Sequence, residues 1–277
     1  MTQQQQRRSA PEYFLGSDES ERARLLAQGE VHRAETEALL DRLEIPAGGR
    51  AIDFGCGPLG VLELLSRQVG PAGEVVGLDS EPRMIGFAQR SITERGLTNV
   101  KLIQADARAT GLDGDYFDLA HERLVLITLT SPQDVVAEMV RVVRPGGSVV
   151  TQNVDWISWT CEPAHPAWDS LLEALVKTFR ATGLDPFTGR RMPALLRDAG
   201  LVDVAIEVSG HTERAGQHNH LLLLRFIGIF QDQITAGGFL DAPQLARLTG
   251  ELEEHLSRPE TFTLAPLLFQ VWGRKPG

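Results

Sequence analysis

Cysteine is scarce in this chain. The 277 residues hold two, Cys56 and Cys161, too few for a disulfide framework or a zinc site of four thiolates. Basic residues are outnumbered, with 27 Lys and Arg against 37 Asp and Glu and a formal charge of −10. Such a surface repels phosphate backbones, and no dense Lys/Arg run offsets it, so nucleic acid is not an expected partner. Long apolar runs are missing as well. The most apolar stretch, residues 220–230, is interrupted by Arg225 and is well short of the ~20 residues that span a bilayer. The opening MTQQQQRRSAPEY has no apolar core of the kind a secretory leader needs. The expectation is a soluble, cytoplasmic protein without a membrane partner. What remains is ordinary globular composition, 42% hydrophobic and 23% charged. That length suits about two domains, or one large domain with additions.

No internal repeat is present. Residues 1–10 read as a Gln-rich tail, and 13–43 as helical, with Leu25, Leu26, Leu39, Leu40 and Leu43 set among charges. Pro46-Ala47-Gly48-Gly49 breaks that pattern. Short β-rich runs then alternate with helical stretches. The runs are 50–54, 74–78, 100–104, 117–120 and 148–153, and the helical stretches lie at 59–69, 83–95 and 132–143. Alternation of this kind predicts a parallel sheet with helices on both faces. After Asn153 the rhythm changes. Trp156, Trp159 and Trp168 crowd into residues 155–168 beside Pro163 and Pro166. Helices are expected at 167–181 and 190–199, a strand at 202–208, two helices within 211–258, and a last strand over 262–272. The expected division is a tail and helical lid (1–45), an α/β core with a Trp-containing loop at 155–185 (46–210), a helical insert (211–260), and the last strand and tail (261–277).

The first β-run leads into Ala51-Ile52-Asp53-Phe54-Gly55-Cys56-Gly57-Pro58-Leu59-Gly60. Gly55, Gly57 and Gly60 match GxGxxG, a turn in which glycine lets the backbone approach a ligand closely. The carboxylates say more. Asp79 ends the second run, 24 residues after Gly55, where a carboxylate can accept both hydroxyl protons of a ribose. Asp53 lies two residues before the first glycine. It would repel a pyrophosphate and tolerate a cationic amino group. The ligand suggested is a nucleoside with an ammonium group and no phosphates.

On these residues the chain resembles the class I S-adenosylmethionine-dependent methyltransferases. The matching segments are AIDFGCGPLG, VVGLDSEPRMI, VKLIQADA, YFDLAHERLVL and EMVRVVRPGGSVV, in the family's order, covering about residues 45–155. The resemblance implies a Rossmann-like sheet of seven mostly parallel strands, an N-terminal helical lid and a helical insert before the last strand. It implies S-adenosylmethionine as cofactor and S-adenosylhomocysteine as product. Residue by residue, it places Gly55, Cys56 and Gly57 by the methionine part. Asp53 lies behind the loop, orienting the ammonium through water. Asp79 binds the ribose, with Ser80 and Met84 beside the adenosine. Asp106 faces the adenine amino group, and Ala107 the ring. It also puts Tyr13 and Gln28 over the methionine end, and His121, Glu122 and Arg123 where methyl meets acceptor, with Glu122 also near the cofactor.

Each candidate has a plainer role beside it. Cys56 is expected to be a packing residue, and His121 a packed strand-end histidine more readily than a base. Glu122 and Arg123 would serve equally as a pair with each other. His165, between prolines, reads as a loop residue. His211, His218 and His220 lack a carboxylate-rich ligand pattern, so no metal is expected. The Leu- and Phe-rich insert, with Phe226 and Phe230, would roof the strand ends together with Trp156, Trp159 and His165. That suggests an apolar or aromatic small-molecule acceptor, and the chain resembles bacterial natural-product methyltransferases, which act on carbon, nitrogen or oxygen. The same apolar helices would also suit a homo-oligomer contact. Two rival functions stay open. One is a non-catalytic partner subunit of the same fold. The other is a nicotinamide-dependent oxidoreductase, against which Asp53 and the Arg144-Pro145-Gly146-Gly147 turn both count.

Overall fold

The computed structural model describes residues 19–43, 45–217 and 219–277. The expected leading helix is two, α1 (Glu19–Val31) and α2 (Arg33–Arg42), meeting at His32. The change of direction lets α2 bury Thr36, Leu39 and Leu40 on the sheet that follows. In that sheet β1 (Arg50–Phe54), β2 (Glu74–Asp79) and β3 (Val100–Gln104) are parallel, joined through α3 (Leu62–Val69) and α4 (Pro82–Glu94). β4 (Phe117–Arg123), α5 (Pro132–Val142) and β5 (Val143–Asp155) extend it on the other side of β1. Ala51 to Phe54 are buried on both faces of β1, as a central parallel strand requires.

After β5 the chain makes β6 (Thr160–Glu162), α6 (Pro166–Ala181), α7 (Thr188–Asp198) and β7 (Val202–Ser209). It ends with β8 (Thr212–Arg214), α8 (Leu222–Ala236), α9 (Ala242–Leu256), β9 (Phe262–Leu264) and β10 (Leu267–Arg274). The main sheet has seven strands in the order β3-β2-β1-β4-β5-β10-β7, with β10 antiparallel to both neighbours. Strand order turns back at β1 and β4, and a ligand crevice is expected at the carboxyl ends of those strands.

Two expectations need correcting. The stretch 262–272 is not one strand. Ala265 and Pro266 divide it, because proline has no N–H for the ladder, and β9 joins β6 and β8 in a separate three-stranded sheet. The Trp-containing segment holds more than a loop and the expected helix, which is α6: β6 precedes that helix, and residues 211–258 supply β8 ahead of their two expected helices. The cap therefore draws on two chain segments that share one apolar core, including Trp156, Trp159, Trp168, Phe230 and Leu252. Two further cores fill the faces of the main sheet. One lies under α2 and α3 with Leu39, Leu62, Leu65 and Val150. The other lies under α5 and α7 with Phe54, Leu126, Met139 and Val271.

Candidate active site

The glycine turn after β1 is tied to the end of β2. Gly55 N donates to Leu78 O at 2.7 Å and Cys56 N to the same oxygen at 2.9 Å. Gly55 has φ +72°, and a Cβ there would fall 2.4 Å from Val125 Cγ2, in the loop after β4. Gly57, at φ +51°, would place a Cβ 3.8 Å from Leu25 Cδ1 of α1 and near nothing else. The backbone at Gly57 is thus open to close approach by a ligand, with α1 lying above it. Asp79 Oδ2 accepts from Gly57 N at 3.0 Å and Oδ1 from Glu81 N at 2.9 Å. Burial pushes the Asp79 carboxyl above its ordinary value, and those two N–H groups pull it back.

Asp53 is buried in the sheet. Its Oδ1 lies 2.8 Å from His121 Nδ1, and its Oδ2 accepts from Val61 N at 3.3 Å. His121 is fully buried, with Nε2 2.9 Å from Gln152 Oε1. Gln152 Nε2 donates to Gln270 Oε1 at 2.6 Å, and Thr36 Oγ1 of α2 lies 3.0 Å from Gln152 Oε1. Arg123 joins by donating to Thr36 Oγ1 at 3.1 Å. A polar row therefore crosses β1, β4, β5 and β10 beneath α2. Nothing in motif spacing announced Gln152, Gln270 or Thr36. The available signal was three consecutive polar residues, Thr151-Gln152-Asn153, in the middle of a strand that a seven-stranded sheet buries on both faces.

Glu122 and Arg123 do not pair, because successive residues of a strand point to opposite faces. Arg123 faces α2, and burial lowers its guanidinium from the usual value. Glu122 faces α7. Its Oε2 accepts from Val125 N at 3.1 Å and Leu126 N at 3.4 Å, and its Oε1 from Asn153 Nδ2 at 2.6 Å. Burial is the largest influence on it and raises it to about 8 despite these donors.

The remaining candidates fall as follows. Met84 is buried on α4, and Ser80 is exposed with its carbonyl accepting from Gln104 Nε2 at 3.3 Å. Asp106 is paired with Arg108, Nη2 to Oδ2 at 2.6 Å, which holds its carboxyl below the ordinary value. Ala107 packs on the core under α5. Gln28 is half-buried on α1, while Tyr13 and His218 lie outside the described residues. Burial raises the Cys56 thiol well above its usual value, consistent with a packing residue. His165 is no plain loop residue, since its Nδ1 accepts from Ala167 N at 3.2 Å and caps α6.

The aromatic candidates meet one another. Phe226 lies 5.7 Å from Trp156 and 6.1 Å from Trp159 between centroids, and Phe230 lies 5.0 Å from Phe179. Phe230, Trp156 and Trp159 are buried in the cap core, and Phe226 is partly exposed. His220 is buried, with its ring nitrogens 3.1 Å from Glu213 O and 2.8 Å from Leu256 O. His211 faces Glu35, Nε2 to Oε1 at 3.0 Å. Among the described residues no cluster of three His, Cys, Asp or Glu is arranged to hold a metal ion.

A family model described as "Methyltransferase domain" matches residues 45–199. The "Uncharacterized 37.1 kDa protein in transposon TN4556" of Streptomyces fradiae is 29% identical over 238 residues, 79% of this chain and 67% of that one. The demethylmenaquinone methyltransferase of Geobacillus sp. strain WCH70 is 35% identical over 119 residues, 43% of this chain and 51% of that one. The chain thus spans about half the length of the demethylmenaquinone methyltransferases it matches. Among solved structures, the YcgJ protein of Bacillus subtilis superposes with TM-score 0.59 at 18% identity, covering 88% of this chain and all of that one. Phosphoethanolamine N-methyltransferase 2 of Haemonchus contortus, in complex with S-adenosyl-L-methionine, gives 0.53 at 16% identity over 88% of this chain and 53% of that one. At those identities the likeness is one of fold.

Proposed function

Because the chain belongs to the class I S-adenosylmethionine-dependent methyltransferases, we propose that it moves a methyl group to carbon, nitrogen or oxygen of an apolar or aromatic small molecule, in bacterial secondary metabolism. The observation that carries this reading is the meeting of Gly57 and Asp79, 3.0 Å apart, at the carboxyl ends of β1 and β2. An open glycine backbone and a half-buried carboxylate fit a nucleoside bearing an amino-acid group. In this reading Gly55, Cys56 and Gly57 line the methionine part, with Gln28 above them. Asp79 takes the ribose hydroxyls, exchanging its hold on the loop N–H groups for them in part. Ser80 and Met84 flank the adenosine. Asp106 reaches the adenine amino group with the oxygen capacity that Arg108 leaves, and Ala107 lies by the ring.

When bound, S-adenosylmethionine supplies the methyl group activated as a sulfonium. The chain's own work is to align the acceptor and keep water out. Glu122 is not suited to act as a base, since it is fully buried with both oxygens engaged by Val125, Leu126 and Asn153, and burial already favours its protonated form. It fixes the loop that presses on Gly55. His121 is a positioning group in the same sense, with its two ring nitrogens against Asp53 and Gln152. Equilibrium dialysis with labelled S-adenosylmethionine and labelled NAD tests the reading. Retention of the first and not the second is expected, and the reverse would favour an oxidoreductase. Cofactor retention with no transfer to any acceptor would favour a non-catalytic subunit.

A further inference from the structure

Three polar side chains gather at the carboxyl edge of the main sheet, on the side away from β2 and β3. His32 sits at the junction of α1 and α2, and Glu35 in the first turn of α2. His211 lies two residues past β7, which runs parallel to β5 because β10 is antiparallel to both. The His32 and His211 ring centroids are 6.0 Å apart, and His211 Nε2 is 3.0 Å from Glu35 Oε1. His32 is 7% exposed. His32 Nδ1 and Glu35 Oε2 are buried atoms without a hydrogen-bond partner, and His211 Nε2 meets only Glu35 Oε1. Such atoms are rare and costly in folded proteins, and two in one cluster call for an explanation.

The cluster adjoins the crevice. Gln28, one helical turn before His32, is on the helix whose Leu25 lies over Gly57. Arg123, from the end of β4, holds Thr36 one residue after Glu35. Burial, then Arg123, then His211 lower His32 to about 3, so its imidazole is neutral. An ionised Glu35 only accepts hydrogen bonds, and a neutral imidazole offers a lone pair on one nitrogen. The missing partner of Glu35 Oε2 is therefore a hydrogen-bond donor, and so is that of His32 Nδ1 when Nε2 carries the ring proton.

We propose that His32, Glu35 and His211 bind the O–H or N–H group of the methyl acceptor, with the Glu35–His211 pair taking its proton as the methyl arrives. The proposal rests on the methyl-transfer reading above and narrows its acceptor. The acceptor's lone pair forms the new bond to the methyl carbon, and the electrons of the broken sulfur–carbon bond stay on sulfur, which leaves as a thioether. The released proton passes to the Glu35–His211 pair and from there to solvent, which reaches the His211 side chain at 28% exposure. The polar row under α2 supports this pair through Thr36 without touching the acceptor.

Phenol and toluene separate the binding claim from mere apolar packing, since they match in size and differ in the donor. The probe is the nitrogen-15 spectrum of the histidine rings in the S-adenosylhomocysteine complex. Saturable shifts of His32 and His211 with phenol and none with toluene are expected. Glu35→Gln and His211→Asn should each weaken the phenol response at least tenfold while S-adenosylhomocysteine affinity stays within about twofold. An equal response to toluene, no response to phenol, or an unchanged response in both variants overturns the proposal. If the wild-type protein fails to bind S-adenosylhomocysteine in a calorimetric titration made before any phenol is added, the methyl-transfer reading itself falls, a distinct result.

Discussion

Replacing Asp79 by Ala removes the acceptor of two loop N–H groups, from Gly57 and Glu81, together with the expected partner of two ribose hydroxyls. Charge-assisted hydrogen bonds of that kind are worth ~1.5–3 kcal/mol each, partly offset by water. S-Adenosylmethionine affinity should fall roughly ten- to a hundredfold by calorimetry on folded variant, and an unchanged dissociation constant would move the nucleoside elsewhere. Glu122 makes a different prediction. Its folded value is about 8 against an ordinary 4.5. Between those two values the folded chain keeps a proton that the unfolded chain releases, so stability falls as pH rises through that window. A tenfold change in a proton-binding equilibrium corresponds to ~1.4 kcal/mol, and a loss of a few kcal/mol is expected by pH ~8. Thermal melts across that range should show Glu122→Gln with a flatter pH dependence than the parent chain. His32 acts at the other end. It is held near 3 against 6.5, so stability falls as pH drops through that interval. Asp53 and Asp79 were legible in the sequence because a strand and a glycine turn fix their places locally. The separation of Glu122 from Arg123 was legible only in part. Strand alternation dictates it, but the expected strand ended at Ala120, before either residue.

The helix α1 is held against α4 by surface contacts. Glu19 lies 2.6 Å from Arg90, Arg22 3.9 Å from Glu94, and both arginines sit over the Phe87 ring. Exposed pairs of this kind contribute ~0–1 kcal/mol each and are screened by salt. A lid that opens for exchange suits such weak fastening. Hydrogen exchange over residues 19–31 should slow on adding S-adenosylhomocysteine and quicken at high salt without it, and equal rates in both states would remove the lid role. In the cap, Phe230 is 3% exposed, and Phe230→Ala should cost ~3–5 kcal/mol of stability. Partly exposed Phe226 should cost less, and it is the aromatic through which acceptor Michaelis constants should change. Cofactor affinity should stay within about twofold in both variants. Thermal melts and cofactor titration on the same samples check this. The long strands and helices were readable because five or more residues are enough to show a period. β6, β8 and β9, at three residues each, are too short to show one, and only pairing with distant partners defines them.

At the scale of the molecule, a mostly parallel sheet supplies the crevice, and two chain segments pack together around a core of their own. The proposed cofactor side was open to motif reading, because its residues follow β1, β2 and β3 in chain order. The acceptor side was not. His32, Glu35 and His211 come from α2 and its junction with α1 and from the far end of the sheet, and no spacing rule links them. Among the described residues no helix is long and apolar enough to cross a membrane. Ile157 and Ile229 of the cap are 66% and 40% exposed, so a self-association that buries them should show in light scattering and weaken on changing both to Ser. The central claim is methyl transfer from a cofactor seated between the glycine turn and Asp79. Its most direct test is incubation with methyl-labelled S-adenosylmethionine and a panel of aromatic hydroxyl and amine compounds, with mass spectrometry of both products. Labelled methyl should appear in one class of acceptor in amounts equal to the S-adenosylhomocysteine formed, and Asp79→Ala should lower both roughly ten- to a hundredfold at limiting cofactor. Unchanged S-adenosylmethionine and no labelled acceptor, from protein shown to be folded, would contradict the account.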